Sequence, residues 1–145
     1  MARKVFYSFH YDADNVRASQ IRNMGVIEGN LLATDNDWET IKRGGERAIQ
    51  NWIDNQLSGC SCTVVLIGAE TAGRKWIKYE IEKSWNDGKG VLGIYIHNLR
   101  DFNGYQTRQG RNPFDDFTMK RDSSKLSSIV QTYNLPNSDS KLVYG

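Results

Sequence analysis

A chain of 145 residues has room for one domain with a real core and little room for two. Hydrophobic residues make up 39% and charged residues 25%, an ordinary globular balance that excludes a disordered chain. The net charge is only +2, from 19 basic and 17 acidic residues with the signs interspersed, and this argues against a nucleic-acid or membrane-surface partner.

Met1 to Lys4 runs straight into a strand-like segment, with no apolar stretch of signal-peptide length. Val5 to Phe9 is aromatic and β-branched and predicts a buried first strand. His10 to Asp14 is expected as a loop, with Asp12 or Asp14 capping a helix from about Val16 to Met24. Val26 to Thr34 has room for a short second strand. Asp37 and Glu39 mark a helix start. Ala48, Ile49, Trp52, Ile53 and Leu57 then recur at helical spacing, with Gly44-Gly45 able to divide the stretch and Gly59 closing it.

Cys60 and Cys62 are too close to close a useful loop and too few for a metal site, so both are expected as free thiols of a reducing, cytoplasmic compartment. If both lie in a strand, they share a face. Thr63 to Ile67 is the clearest strand, a continuous β-branched run of the kind covered on both faces. A polar turn from Gly68 to Gly73 leads into a helix from about Lys75 to Asn86, ended by Gly88 and Gly90. Val91 to Ile96 is the next central strand. Asn98 to Pro113 is loop-like, and Leu126 to Tyr133 is expected as a last helix. No apolar run exceeds about five residues, too short for a membrane span.

Strands alternating with helices imply parallel crossover units and an α/β fold: an open, mainly parallel sheet with helices on both faces. In such sheets ligands bind at the carboxyl ends of the strands, where the loops here begin at Ser8–Asp14, Gly68–Arg74 and His97 onward. The phosphate-binding glycine motifs and the serine-nucleophile elbow are absent. His10 and His97 both follow strands, but two histidines alone make no metal site, and His97 reads as a surface loop residue. Trp76 and Glu80 stand at i, i+4 on one helix face, which would put a carboxylate beside an aromatic wall. Taken alone, a glutamate on a helix is usually a solvated surface residue.

Tyr7-Ser8-Phe9-His10 ending the first strand, Gly68 and Thr71 after the central strand, and Trp76-Ile-Lys-Tyr-Glu80-Ile81 together resemble a TIR-like domain. More narrowly they resemble the TIR-like proteins of bacterial Thoeris antiphage defence. Asp37-Trp38-Glu39 and Gly110-Arg111-Asn112-Pro113-Phe114 add to the likeness. It implies a single TIR-like domain over 1–145 with flavodoxin-like topology, its core resemblance in 1–116 and an extension of undetermined structure in 117–145.

The resemblance also implies an enzyme that consumes NAD as substrate, with no further cofactor and no metal. Glu80 takes the place of the family's catalytic glutamate, and its nearest competitor, Glu82, lies about 200° further round the helix. By the same analogy Ser8, Phe9, His10, Asp37, Trp38, Thr71 and Trp76 bind substrate. Phe9 reads equally as core, Trp38 as helix packing, and Arg17 as a solvated helix face rather than a pyrophosphate ligand. The product would be a cyclic or conjugated ADP-ribose that activates a separate effector by diffusion. Homo-oligomer formation stays open. The alternatives are a non-catalytic TIR-like self-assembly module, for which a carboxylate at position 80 has no use, and a receiver-like binding domain. The latter needs clustered acids after the first strand, where Asp12 and Asp14 form only a loose version.

Overall fold

The structure is a computed structural model that describes residues 5–23, 41–101, 103–119 and 123–134. Among the described residues four strands form one parallel sheet in the order β1 (Val5–Ser8), β2 (Cys62–Ile67), β3 (Gly90–Tyr95) and β4 (Thr132–Asn134). Among the described residues the helices that cover it include α1 (Tyr11–Asn23), α2 (Gly45–Ser58) and α3 (Lys75–Asn86). The expected second strand near Val26 and the helix start at Asp37 lie outside the described residues.

Strand alternation assigns the faces. Val5 and Tyr7 of β1, with Val64 and Leu66 of β2, pack against Ala18 and Ile21 of α1. On the other face Val65, Ile67 and Tyr95 meet Ile77 and Ile81 of α3. Phe6, on that same face, packs against Ile49, Ile53 and Leu57 of α2. Helices therefore lie on both sides of an α/β sheet, as the strand–helix alternation predicts.

Three expectations change, and one division is as expected. α1 begins at Tyr11, because His10 rather than Asp12 or Asp14 caps it: its Nδ1 accepts from Ala13 N at 3.0 Å, and its carbonyl accepts from Asp14 N at 2.9 Å. Gly44 is, as expected, the turn that divides the helical residues 41–43 from α2. Cys60 lies ahead of β2 in the α2-side cluster, while Cys62 packs on the α1 side, so the two free thiols do not share a face. Residues 126–133 are not a helix. A short 3-10 turn, Leu126–Ser128, sends Leu126 and Val130 into the core, and β4 then pairs with Gly93–Tyr95.

The Gly110–Phe114 motif explains how the long connection after β3 returns to the core. Asn112 caps a 3-10 turn, its side chain accepting from Phe114 N at 2.9 Å, and Phe114 is fully buried. Gly93 makes room for that ring. A Cβ at Gly93 would lie 2.9 Å from Ile67 Cδ1 and 3.0 Å from the Phe114 ring, both of them packed core atoms. Gly93→Ala is therefore expected to lower stability by about 1–3 kcal/mol through overpacking. Chemical denaturation would show this as a lower midpoint with an unchanged slope.

Candidate active site

Ser8 is the last residue of β1 and points to the face covered by α2 and α3. Glu80 lies in the second turn of α3, between Ile77 and Ile81, which anchor that helix on β2 and β3. The two side chains meet. Ser8 Oγ donates to Glu80 Oε1 at 2.5 Å, with Ser8 wholly buried and Glu80 only 7% exposed. Burial pushes the Glu80 carboxyl up to about 8, and the Ser8 hydrogen bond offsets this only in part. A helix glutamate that reads as a solvated residue from sequence alone is thus a desolvated carboxyl aimed at the end of the first strand. Glu82 is exposed and lines a different groove, with Trp85 and Phe117.

The aromatic wall is held from α2. Trp76 is half-buried against Phe6, Ile49 and Ile53, and its ring meets the Tyr79 ring edge-on at 5.6 Å. Tyr79 is fixed in turn by donating its hydroxyl to Asp54 of α2 at 2.6 Å. A second buried polar pair, Thr63 Oγ1 and Ser84 Oγ at 2.7 Å, ties α3 to β2 one turn beyond Glu80. The carboxyl therefore sits on a helix with little freedom to shift, the condition for directing it at a fixed reacting atom.

The other expected substrate-binding residues are placed as follows. Phe9 is half-buried against the α1-side core, on the opposite face from Ser8. His10 caps α1. Thr71 is fully buried and its hydroxyl closes the β2–α3 turn, accepting from Gly68 N at 2.8 Å and donating to Leu66 O at 3.4 Å. Asp37 and Trp38 lie outside the described residues. The structure thus brings Ser8, Trp76 and Glu80 to one face of the sheet and gives Phe9, His10 and Thr71 local structural contacts.

Arg17 is a correction. It is not on a solvated helix face but 6% exposed, with Nε donating to Leu99 O and Nη2 to Tyr105 O, each at 2.9 Å. It also lies 3.7 Å from Asp14 and 3.9 Å from Asp101. Its role is to tie α1 to the connection after β3. His97 is half-buried rather than on the surface, with its ring edge-on to Tyr95. Sequence reasoning also missed the arginines Arg74, Arg108 and Arg111, which line one cleft although they come from two separate connections. Among the described residues there is no cluster of three or more His, Cys, Asp or Glu side chains able to hold a metal ion. No helix of the described residues is long and apolar enough to cross a membrane.

The chain is 38% identical over 120 residues, 79% of its length, to a Bacillus cereus (strain MSX-D12) protein named "Putative cyclic ADP-D-ribose synthase ThsB1". The match spans 62% of that protein's own length. The family described as Thoeris protein ThsB, TIR-like domain, matches residues 6–101, which include Ser8, Trp76 and Glu80. With this match over more than half its length, the chain belongs to the TIR-like domain family of the Thoeris protein ThsB.

Proposed function

We propose that the protein cleaves the nicotinamide–ribose bond of NAD, with Glu80 as the catalytic carboxylate, and converts the remainder to a cyclic or conjugated ADP-ribose signal. The observation that carries this reading is the buried Glu80 carboxyl held by Ser8 on a rigid helix. Family membership and the name of the Bacillus cereus relative support it. On this reading the signal diffuses to a separate antiphage effector.

The chemistry suits a single carboxylate. Nicotinamide is cationic in NAD, so the electron pair of the breaking C–N bond returns to the ring nitrogen and the base leaves neutral, without a general acid. Positive charge develops on the ribose, as in glycoside cleavage. An ionised Glu80, oriented by Ser8 and poorly solvated, stabilises that charge more strongly than a carboxylate in water would. Ribose hydroxyls donating to Glu80 would fix the anomeric carbon in place. A nucleophile then closes the new bond and gives up its proton. If it is water, linear ADP-ribose forms; if it is a group of the substrate held in a dry pocket, a cyclic product forms. Water at roughly 55 M loses that competition only to a group whose positioning gives a higher effective molarity, and about 10⁵ M is attainable.

The test is to incubate the pure full-length protein with NAD and identify every product by mass. Nicotinamide together with a product retaining both ribose–phosphate halves is the expected result. Nicotinamide with linear ADP-ribose alone would leave a simple NAD hydrolase. No nicotinamide under any condition that yields folded protein would favour a non-catalytic assembly module.

The pH dependence follows from the direction of the Glu80 shift. With its carboxyl at about 8 in the empty site, the ionised form is scarce at acid and neutral pH. kcat/KM for nicotinamide release should therefore rise with pH and level off above about 8. The kcat profile should level off at lower pH, because the cationic nicotinamide ring beside Glu80 favours the carboxylate. A kcat/KM that stays flat across this range would mean that Glu80 is not the group whose ionisation matters.

A further inference from the structure

Two clefts open side by side between the β1–α1, β2–α3 and post-β3 connections, and neither is lined by Ser8 or Glu80. The first, about 460 Å³, is walled by Arg74 at the start of α3 and by Arg108 and Arg111, with Glu70 as the acidic group on its wall. Arg111 is paired with Asp116 at 2.5 Å, but Arg74 and Arg108 have no carboxylate partner among the described residues. Three guanidiniums around one cleft repel one another, and an anion between them turns that repulsion into attraction. The walls are close-packed rather than loose. A Cβ at Gly110 would lie 2.1 Å from Gly68 O, so the connection carrying Arg108 and Arg111 lies directly on the β2–α3 turn.

The second cleft, about 340 Å³, shares Ala69, Glu70 and Arg108 with the first and extends to Asp14, its ion-pair partner Arg17, and Asp101. Asp14 is 2% exposed, and its Oδ2 has no hydrogen-bond partner. A buried oxygen left unsatisfied calls for an explanation, and a ligand donor is one. Each cleft has the size of a small-molecule site.

We infer that these joined clefts form a nucleotide site distinct from Glu80, in which Arg74, Arg108 and Arg111 take a diphosphate and Asp14 accepts from the ribose hydroxyls. Guanidinium forks match phosphate oxygens in pairs, which a lone lysine cannot do. A carboxylate facing a ribose diol is a recurrent way of fixing a nucleotide's sugar. The cleft with three guanidiniums adjoins the one that carries the Asp14 acceptor, and diphosphate and ribose adjoin in the same way in a nucleoside diphosphate. The inference does not rest on the NAD-cleaving reading, since ADP carries no nicotinamide and is not turned over by that chemistry.

Titration calorimetry of the full-length protein with ADP, adenosine and inorganic pyrophosphate tests it. ADP is expected to bind at one site per chain, and the double variant R74A/R108A, both exposed positions, to weaken it by about tenfold or more. Adenosine should bind far more weakly than ADP, for want of the diphosphate. The dideoxy analogue lacking both ribose hydroxyls should bind severalfold more weakly than ADP to the unaltered protein, a comparison that needs no change at buried Asp14. ADP affinity unchanged in R74A/R108A overturns the site. Loss of ADP binding in Trp76→Ala with R74A/R108A unaffected overturns it too, by placing the nucleotide beside Glu80. Equal affinity for ADP and inorganic pyrophosphate overturns the nucleotide assignment. A failure of Glu80→Gln to stop NAD cleavage would undermine the catalytic reading and leave these outcomes unchanged.

Discussion

Glu80→Gln is expected to slow nicotinamide release by about a hundred- to a thousandfold or more, the scale seen when one preorganised charge-stabilising group is lost. The variant should also melt at or above the temperature of the parent. The amide keeps the side chain's shape, and its oxygen can still accept from Ser8 Oγ, so the buried contact survives. What disappears is the cost of holding an ionisable carboxyl out of water. The Glu80 pKa rises on folding, from 4.5 to about 8. The folded state is therefore unpenalised below about 4.5 and loses stability as pH rises toward 8. The full loss is on the order of 5 kcal/mol at most, from 1.36 kcal/mol per pKa unit. The melting temperatures of parent and Glu80→Gln should thus converge in acid and separate in alkali, with the variant higher. Rate and stability move in opposite directions, and a merely structural glutamate would not behave so. A variant that melts normally and keeps its rate would remove Glu80 from the mechanism. Loss of rate in Glu82→Gln instead would mean that the other face of α3 carries the chemistry.

How much of this was legible beforehand depended on whether the determining contacts were local. β2, β3 and α3 are marked by their own residues: β-branched runs for the strands, and Gly88 at φ +76 ending the helix. The sequence pattern puts α1 several residues late because its cap is an imidazole, which lies outside the usual set of serine, threonine and short acidic or amide side chains. The segment after Leu126 reads as a helix because Leu126 and Val130 stand four apart. What decides its conformation is the open edge of β3, to which Thr132 to Asn134 pair. No local pattern reports that edge. For Glu80, the family likeness points to the residue, while its burial comes from packing against the sheet and its partner Ser8 lies 72 residues away. The cluster of Arg74, Arg108 and Arg111 is likewise invisible in a chain whose charges are evenly interspersed, because only the packing of two connections brings it together.

Arg17→Ala is expected to cost about 3–5 kcal/mol of stability, the range for removing one partner of a buried charge pair. Arg17 holds two carbonyls, those of Leu99 and Tyr105, from residues 82 and 88 positions further along the chain. Its loss leaves the buried Leu99 carbonyl without that donor, leaves the part-buried Tyr105 carbonyl with Asp101 N at 3.0 Å, and leaves Asp14, 2% exposed, without the cation 3.7 Å away. Arg17→Lys should rescue little, since one ammonium cannot span the two carbonyls that the planar fork reaches at once. The deficit should also depend on pH. Burial already holds the Asp14 carboxyl above its ordinary value, with Arg17 pulling the other way. Without Arg17 that carboxyl rises further. A carboxyl raised on folding is harmless below its unfolded pKa and destabilising as pH climbs through the folded one. The gap between parent and Arg17→Ala should therefore be smaller in acid, where only the carbonyl contacts are missed, and widen as pH rises, as read by denaturant unfolding at each pH. Asp14→Asn in the same chain should recover part of the loss at the higher pH and little at the lower, because it removes the charge that Arg17 no longer balances. A deficit that is the same at every pH would assign the whole cost to the two carbonyls and none to Asp14.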